Sequence, residues 1–393
     1  MAGITGLGTT YTLPNYTGLL FGLTPADTPF FSAIGGLSSG GQTTSTEFEW
    51  QAYDLRSAGQ NVALEGAAAP TAAERVRANI TNVCQIQQSK VSVSYTKQAA
   101  TGQKAGSNND LPNPVTNELD WQVEQELKAM VRDIEWSFIR GTYQKPSDNT
   151  TARKTRGLLA AITTNATDFG TAVTTLTATA STDIVNETAT ARVNGEAIIF
   201  DTLTGGTGLA LDTVYYVVSK ATNSFKVSRT VGGPAVDILT DYSAVAYTLC
   251  ADLTYDKLGE IMQAAYDNGG ITDSTTAALI VPSHLKRKVS KVLATAFSGY
   301  QELSRNVGGV NMTTVTTDFG VLNMMLNRHM PKGTLIVSSL EQCQPVFLEV
   351  PMKGHFFEEP LAKTGASDES QLYGEVGLAY GNETSHAKLQ HVA

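Results

Sequence analysis

The sequence predicts an α+β fold that carries an additional all-β domain. Three observations support this prediction. A long helical pattern covers Asn113 to Gly141, alternating polar and apolar residues precede it, and the chain from Thr171 to Leu249 consists almost entirely of strand-forming residues. Helical and strand patterns resume after Asp252, and the C-terminal region is again rich in strands.

The composition excludes several classes of protein. A chain of 393 residues is long enough for two or three domains, and a net charge of −9 argues against a surface dominated by phosphate contacts. The three cysteines lie far apart and match no metal or redox spacing, so we interpret them as reduced core residues. The N-terminus has no signal-peptide pattern, and no segment contains the roughly 20 apolar residues of a membrane span. We therefore expect no membrane partner.

Residues 1–45 are predicted to form an N-terminal arm. The region is rich in Gly, Thr and Pro and shows little periodicity, so it cannot build a core of its own. Phe30 and Phe31 are adjacent aromatic residues, and we expect them to anchor the arm on another surface. A disordered tail is the alternative interpretation.

Residues 46–100 have the pattern of a long projecting β-arm. Thr46 to Leu55 begins by alternating polar and apolar residues, and Arg75 to Tyr95 alternates again in two runs. The segment between them consists mostly of small residues and has Glu65 and Gly66 near its centre. A loop of this length on a compact domain usually contacts something else, so we predict that its tip meets another molecule.

Residues 101–170 contain one long helix, predicted over residues 114–140. Asn113 is a suitable N-cap, Pro114 suits the first helical position, and Gly141 is expected to end the helix in a left-handed conformation. The predicted polar face includes Glu135. Seven apolar residues recur at steps of three or four and form one stripe, which should lie on a β-sheet built from strands after residue 157 and from the C-terminal region: Val115, Leu119, Val123, Leu127, Met130, Ile134 and Phe138.

The rest of the chain divides into three predicted regions. Residues 171–250 contain about six or seven short strands separated by glycine turns, which indicates an inserted β-sandwich or barrel. Residues 251–340 combine two helices, from Leu253 to Asn268 and from Ser283 to Phe297, with a buried strand from Ala277 to Val281. Residues 341–393 are rich in strands.

No set of residues in the sequence supports catalysis or cofactor binding. The five histidines are isolated, and no nucleophile elbow or phosphate-binding loop is present. We therefore expect no enzymatic activity, no cofactor and no metal. Lys286, Arg287, Lys288 and Lys291 form one basic cluster on a predicted helix; it could contact phosphates, or it could complement a negative neighbour or a helix C-terminus.

Several segments resemble, in the same order, the major capsid proteins of tailed bacteriophages with the Hong Kong 97-type fold. The chain is particularly similar to the major head proteins of the Salmonella phage SU-ten group, and the resemblance covers most of the chain outside residues 171–249. The segments that carry it are F-F-S-A-I-G-G at 30–36, T-E-F-E-W-Q-A-Y-D-L at 46–55, the Glu65-Gly66 tip, N-V-C-Q-I-Q-Q-S-K-V-S-V-S-Y-T at 82–96, T-D-F-G-V-L-N-M-M-L-N-R-H-M-P at 317–331, and L-A-K-T-G at 361–365 followed by Gly374-Glu375.

The resemblance implies how the regions would be used. Residues 46–100 would form the extended loop that lies over an adjacent subunit, and the helix at 114–140 would be the spine helix of a peripheral domain. The peripheral domain would consist of residues 101–170 and 341–393, and residues 251–340 would form the axial domain. The chain would assemble as hexamers and pentamers into an icosahedral shell around double-stranded DNA, without binding that DNA tightly or by sequence.

The resemblance also implies partners and a location. The chain lacks a long charged N-terminal scaffolding segment, so we expect a separate scaffolding protein, together with a portal protein. Residues 57–74 contain no lysine, so we expect a shell held without lysine–asparagine cross-links. The protein would be assembled in the bacterial cytoplasm and reside in the virion.

Seven residues are candidates for subunit contacts. Aromatic side chains often supply much of an interface's binding energy, and two residues of the long helix lie off its apolar stripe, where a neighbouring subunit or an arm would cover them. The candidates are Phe30, Phe31, Phe48, Trp50, Glu65, Trp121 and Ile139.

Two other functions are compatible with the sequence. A phage fibre or adhesion protein would use the β-domain at 171–250 to bind a cell surface, but this hypothesis gives the long helix and the β-arm no role. A nanocompartment shell with an enzyme cargo would use the same fold. Closed shells of purified protein would distinguish assembly from adhesion.

Overall fold

A computed structural model describes residues 24–99, 117–273, 275–296, 303–307, 310–362 and 365–393. The helices are α1 (Pro29–Ala33), α2 (Tyr95–Ala99), α3 (Glu118–Arg140), α4 (Leu158–Ala161), α5 (Tyr255–Asp267) and α6 (Ser283–Ala296). The strands are β1 (Gly41–Thr43), β2 (Glu47–Tyr53), β3 (Arg77–Val83), β4 (Gln85–Ser94), β5 (Ala166–Asp168), β6 (Thr171–Thr179), β7 (Ile184–Asn186), β8 (Ala197–Thr204), β9 (Val214–Val218), β10 (Ser224–Ser228), β11 (Tyr242–Leu249), β12 (Ala277–Val281), β13 (Leu303–Val307), β14 (Val310–Thr317), β15 (Gly320–Leu326), β16 (Leu335–Ser339), β17 (Gln344–Leu348), β18 (Phe356–Pro360), β19 (Ser367–Ala379) and β20 (Ala387–Gln390). None of the described helices combines the length and the apolarity that a bilayer crossing requires.

The long helix α3 begins later than the sequence predicts. Its N-cap is Asn117, whose side-chain oxygen accepts hydrogen bonds from the backbone N–H groups of Leu119 and Asp120 at 3.0 and 3.4 Å. The predicted cap Asn113 and the predicted first residue Pro114 lie outside the described residues. The described helix therefore starts at Glu118, because Asn117 satisfies the free N–H groups of its first turn.

The helix ends before Gly141, as predicted, but the reason for glycine is different. Gly141 has φ −54° and ψ 133°, so it is not in a left-handed conformation. A Cβ atom at this position would lie 2.3 Å from the carbonyl oxygen of Ser137 and 2.6 Å from that of Thr155. Glycine is needed because the returning chain passes directly against the helix end, where the N–H of Gly157 donates to the carbonyl of Gly141 at 2.8 Å.

The apolar stripe of α3 packs on a five-stranded sheet. The order of this sheet is β1-β17-β19-β18, and β4 pairs along β19. The helix contacts β4 and β19, and Ile134 and Phe138 from α3 share one core with Val376 and Leu378 from β19. The C-terminal strands of this sheet agree with the sequence prediction. The predicted strands after residue 157 are not part of it, because Leu158–Ala161 forms the helix α4 and β5 belongs to a second sheet. The sequence also does not predict that β1 and β4 join this sheet, β1 by parallel pairing with β17.

The β-arm is a two-stranded antiparallel ribbon of β2 and β3. Its register runs from Glu47 opposite Val83 to Tyr53 opposite Arg77. One residue after β3, the chain continues as β4 into the five-stranded sheet. The arm is therefore a direct extension of the sheet that supports the long helix.

A second sheet has seven strands in the order β13-β14-β15-β12-β16-β20-β5. Its central strand β12 is buried on both faces, as the sequence predicts. Ala278 and Ile280 face the core that contains α3, whereas the alternate residues Ala277, Leu279 and Val281 face the core under α5 and α6. This sheet therefore separates the two main cores.

The second sheet crosses the predicted boundary between residues 251–340 and 341–393. Its strand β20 comes from the C-terminal region, and β5 comes from the region before the β-domain. The physical reason is burial, because Ala387 and Leu389 of β20 are completely enclosed in the core under α5. A division at residue 340 therefore does not follow the sheets.

Residues 171–249 form a closed barrel of six strands in the order β10-β7-β6-β11-β8-β9. The sequence left open whether this region is a sandwich or a barrel, and the structure shows a barrel. Its interior is filled by aromatic rings in edge-to-face contact, including Phe200, Phe225 and Tyr247. The chain enters on β6 and leaves on β11, where Thr171 is paired with Leu249. Both ends of the barrel segment therefore lie side by side.

Candidate assembly surfaces

The most exposed surface in the described part of the chain is the tip of the β-arm. All residues from 54 to 76 are exposed, and Glu65 lies at the turn, where the N–H of Ala67 donates to the carbonyl of Leu64 at 3.0 Å. Gly66 has φ +79°, a conformation that glycine adopts without strain. Four apolar residues project from the arm with exposed fractions between 71 and 86%: Leu55, Val62, Leu64 and Val76. This exposed tip stays the candidate contact surface of the β-arm.

Phe48 and Trp50 lie at the base of the arm and already have partners in the same chain. Trp50 is half-buried, and its indole N–H donates to the carbonyl of Gly381 at 2.8 Å. Its ring stacks on Phe48 at 6.0 Å and meets Tyr380 edge to face at 4.9 Å. These contacts fix the direction in which the arm leaves the sheet, and they leave only part of each ring available to a neighbouring subunit.

The prediction that Phe30 and Phe31 contact a neighbouring subunit is corrected by their position. Both side chains are completely buried in the core around α3, and Phe31 meets Phe138 edge to face at 5.6 Å. The two rings do anchor the N-terminal arm, but the surface they dock on belongs to their own chain. They have no exposed area left for another subunit.

Glu135, which the sequence predicts on the polar face of α3, holds this anchor in place. Its side chain is completely buried. The N–H groups of Phe30 and Phe31 donate to its two carboxylate oxygens at 3.0 and 2.6 Å, and the side-chain amide of Asn327 also donates to it. One carboxylate thus joins the N-terminal segment, the long helix and the loop after β15.

A signal for Glu135 was present in the helical pattern. Its neighbours one turn away on either side are Val131 and Ile139, and Phe138 lies three positions further on. A glutamate enclosed by apolar residues on its own helix lies on the buried face. Ile139 has the same explanation: it is completely buried in the core, so its prediction as a subunit contact is corrected. Trp121 is partly exposed on the N-terminal half of α3 and stays a candidate.

Burial raises the pKa of Glu135 to about 7, although the hydrogen bonds from Phe31, Phe30 and Asn327 oppose this shift. The folded chain therefore retains this proton to a higher pH than the unfolded chain, in which the carboxyl ionises near 4.5. The stabilisation from this proton is complete below pH 4.5 and is lost as the pH rises through 7.

We compare the free energy of unfolding of the wild type with that of Glu135→Gln. The difference between the two proteins should change by about 3 kcal/mol, to the disadvantage of the wild type, as the pH rises from 4.5 to 7. Chemical denaturation of both proteins over this pH range measures the difference. Parallel pH profiles for the two proteins would contradict the assignment of this titration to Glu135.

The described residues offer little reactive chemistry. Within them, no group of three or more His, Cys, Asp or Glu side chains is placed to bind a metal ion. The three cysteines are buried and unpaired, which confirms them as reduced core residues, and burial raises the pKa of Cys84, Cys250 and Cys343 to about 12. His386 is a buried structural residue that accepts from the N–H of Ser339 at 3.3 Å.

Comparisons with known proteins agree with a surface built for assembly. A family model described as SU10 major capsid protein matches residues 3–393. The chain is similar to the solved capsid asymmetric unit of cyanophage A-1(L), with 8% identity, a TM-score of 0.54 and coverage of 98% of each chain. It is also similar to a structure from Mycobacterium phage Bobi, with 10% identity, a TM-score of 0.50 and coverage of 97% of this chain and 96% of that one. Among curated proteins, none matches the chain.

Proposed function

The chain belongs to the SU10 major capsid protein family, and we propose that its copies assemble as hexamers and pentamers into an icosahedral phage head. As a major capsid protein it forms the shell of the head, and its fold is of the Hong Kong 97 type. The proposed content of the shell is double-stranded DNA, which the acidic chain holds without tight or sequence-specific contacts. The role is structural rather than enzymatic.

The proposal includes partners and a division of labour along the chain. A separate scaffolding protein and a portal protein take part in assembly, which occurs in the host cytoplasm. Within residues 46–100, the ribbon of β2 and β3 with its tip acts as the extended loop, and β4 belongs to the sheet under the long helix. Residues 101–170 and 341–393 supply most of the peripheral domain, and residues 251–340 supply most of the axial domain. The barrel at 171–250 is an insertion in this scheme.

The exposed β-arm is the observation that supports assembly most directly. A folded subunit gains nothing from holding Leu64 and Val62 in water, because burying each such side chain is worth about 1.5–3 kcal/mol. A contact with an adjacent subunit recovers this free energy. Since the contact repeats around the shell, many modest interfaces of this kind suffice to close it.

Electron microscopy of the purified full-length protein tests the proposal. Closed shells, or rings of five and six subunits, are the expected result. Fibres or dispersed subunits at every concentration and ionic strength, with and without co-expressed scaffolding protein, would contradict assembly into a head.

We also propose that the barrel faces the outside of the shell as an accessory domain. Thr171 and Leu249 are directly paired, so a short linker can replace everything between them. One contact between the barrel and the body is a small apolar cluster that includes Ile199, Val214 and Cys250.

Replacing residues 171–249 by a short Gly-Ser linker should leave shells with an unchanged diameter, as measured by electron microscopy. A second deletion with Cys250→Ser controls for the apolar surface that removal of the barrel exposes. Loss of folding in both deletions would show that the barrel is part of the structural unit rather than an accessory.

A further inference from the structure

A cleft of about 300 Å³ lies between the barrel and the body of the protein, at the lower end of the volumes of small-molecule sites. The barrel contributes Tyr216 from β9 and Arg229, which directly follows β10. The body contributes Ser283 and His284 from the start of α6, and Lys332 from the loop before β16. Three separate segments thus bring three basic side chains to one cavity.

The positive charge of this cleft is not neutralised within the described residues. No carboxylate in the described ranges lies within ion-pair distance of Arg229 or Lys332, and none lines the cavity. Asp212, which is next to the lining residue Thr213, is instead paired with Arg140 at 2.7 Å. Positively charged side chains that share a cavity repel one another, so a bound anion would stabilise the cleft.

His284 lines the cleft and contacts the barrel. Its Nε2 lies 3.3 Å from the hydroxyl of Tyr216, a contact that joins the helix to the barrel. Burial lowers the pKa of His284, and the positive charges of Lys288 and Lys332 lower it further. An anion in the cleft would reverse the electrostatic part of this effect and favour the imidazolium form. The start of α6 adds the positive end of a helix of 14 residues on the same side.

We propose that this cleft binds a phosphate-type oxyanion that bridges the barrel and the body. A guanidinium, an ammonium group and an imidazole that line the same cavity match the several acceptor oxygens of such an anion. The oxyanion has two possible sources, free phosphate or the backbone of a nucleic acid. This inference concerns the barrel junction and does not depend on how the shell closes.

The test is calorimetric titration of the purified full-length chain with inorganic phosphate at low ionic strength. The double variant Arg229→Gln/Lys332→Gln should bind phosphate at least about tenfold more weakly than the wild type. Both positions are exposed, so the fold should persist, which circular dichroism verifies. Lys220→Gln is the matched control, since it removes one positive charge from the same barrel outside the cleft and should bind like the wild type.

Two further measurements sharpen the result. Addition of phosphate should shift the His284 imidazole resonances of the wild type towards the protonated form, and not those of the double variant. A short DNA duplex that displaces phosphate identifies a nucleic-acid backbone as the source, whereas no displacement identifies free phosphate. Absence of phosphate binding by the wild type, or equal binding by the wild type and the double variant, would overturn the proposal.

Discussion

Replacing Glu135 by alanine should lower the free energy of unfolding by about 3–5 kcal/mol, because the change leaves buried hydrogen-bond donors without an acceptor. The N–H groups of Phe30 and Phe31 and the side-chain amide of Asn327 all donate to this carboxylate. None of them can reach water while the two phenylalanine rings stay in the core. Chemical denaturation of the unassembled subunit near pH 5, where the folded chain retains the Glu135 proton, measures the loss, which should become smaller as the pH rises through 7.

Glu124→Ala is the matched control for this prediction. Glu124 lies on the same helix but is exposed, and it forms a surface ion pair with Lys128 at 2.7 Å. Pairs of this kind contribute about 0.3–0.5 kcal/mol, so the control should be nearly as stable as the wild type. Equal stability of Glu135→Ala and Glu124→Ala would show that the carboxylate does not hold the N-terminal segment.

Replacing Leu64 by aspartate at the tip of the arm should prevent shell assembly without affecting the fold. Leu64 is 86% exposed in the subunit, so the fold gains little from its side chain. In a subunit contact, the change would lose the burial of leucine and add the desolvation of a charge, at least about 2 kcal/mol for each copy. The concentration needed for assembly should rise by more than about tenfold. Light scattering during assembly and electron microscopy of the product measure this.

Val193→Asp controls for the general effect of an added charge on an exposed apolar position. Val193 belongs to the barrel and is 61% exposed. This variant should assemble like the wild type, since we propose the barrel as an accessory domain. Normal shell assembly by Leu64→Asp, or an equal loss of assembly in both variants, would contradict a subunit contact at the tip of the β-arm.

The sequence predicts most elements of the fold because the patterns that define them are local. The strands of the arm and the buried strand β12 follow directly from periodicity, and so does the second half of α3. The observed start of α3 differs from the predicted one because two asparagines, Asn113 and Asn117, both suit the N-cap position. Local chemistry cannot decide between two equivalent caps.

The incorrect predictions of subunit contacts have a different physical origin. Sequence reasoning recognises Phe30 and Phe31 as anchors, but it cannot tell whether the surface they dock on belongs to the same chain or to a neighbour. Ile139 poses the same problem, because burial in the core and burial in an interface have the same apolar signature. The charge of Glu135 predicts a solvent-facing position, whereas its apolar helical neighbours predict burial, and the structure shows it buried.

Local sequence patterns do not specify which distant strands pair with each other. The parallel pairing of β1 with β17 places Gly41 opposite Val346, and nothing in either short segment specifies the other. The closure of the barrel depends in the same way on which edge strands meet, as in the pairing of β10 with β7. Strand number alone is the same for a sandwich and a barrel, so the sequence left both open.

The pairing of the first strands with the last ones constrains when a newly made subunit becomes competent. Trp50 at the base of the arm is bonded to Gly381, 331 positions further along the chain. Asp27 forms an ion pair with Arg328, which is also distant in sequence, and β1 can pair only after β17 has been synthesised. Until the C-terminal third has been translated, the base of the β-arm has no partner to fix its direction. The core around α3 also lacks the residues that β17 and β19 contribute. We therefore expect nascent chains to be incompetent for assembly, because only a completed subunit presents the β-arm in its final direction.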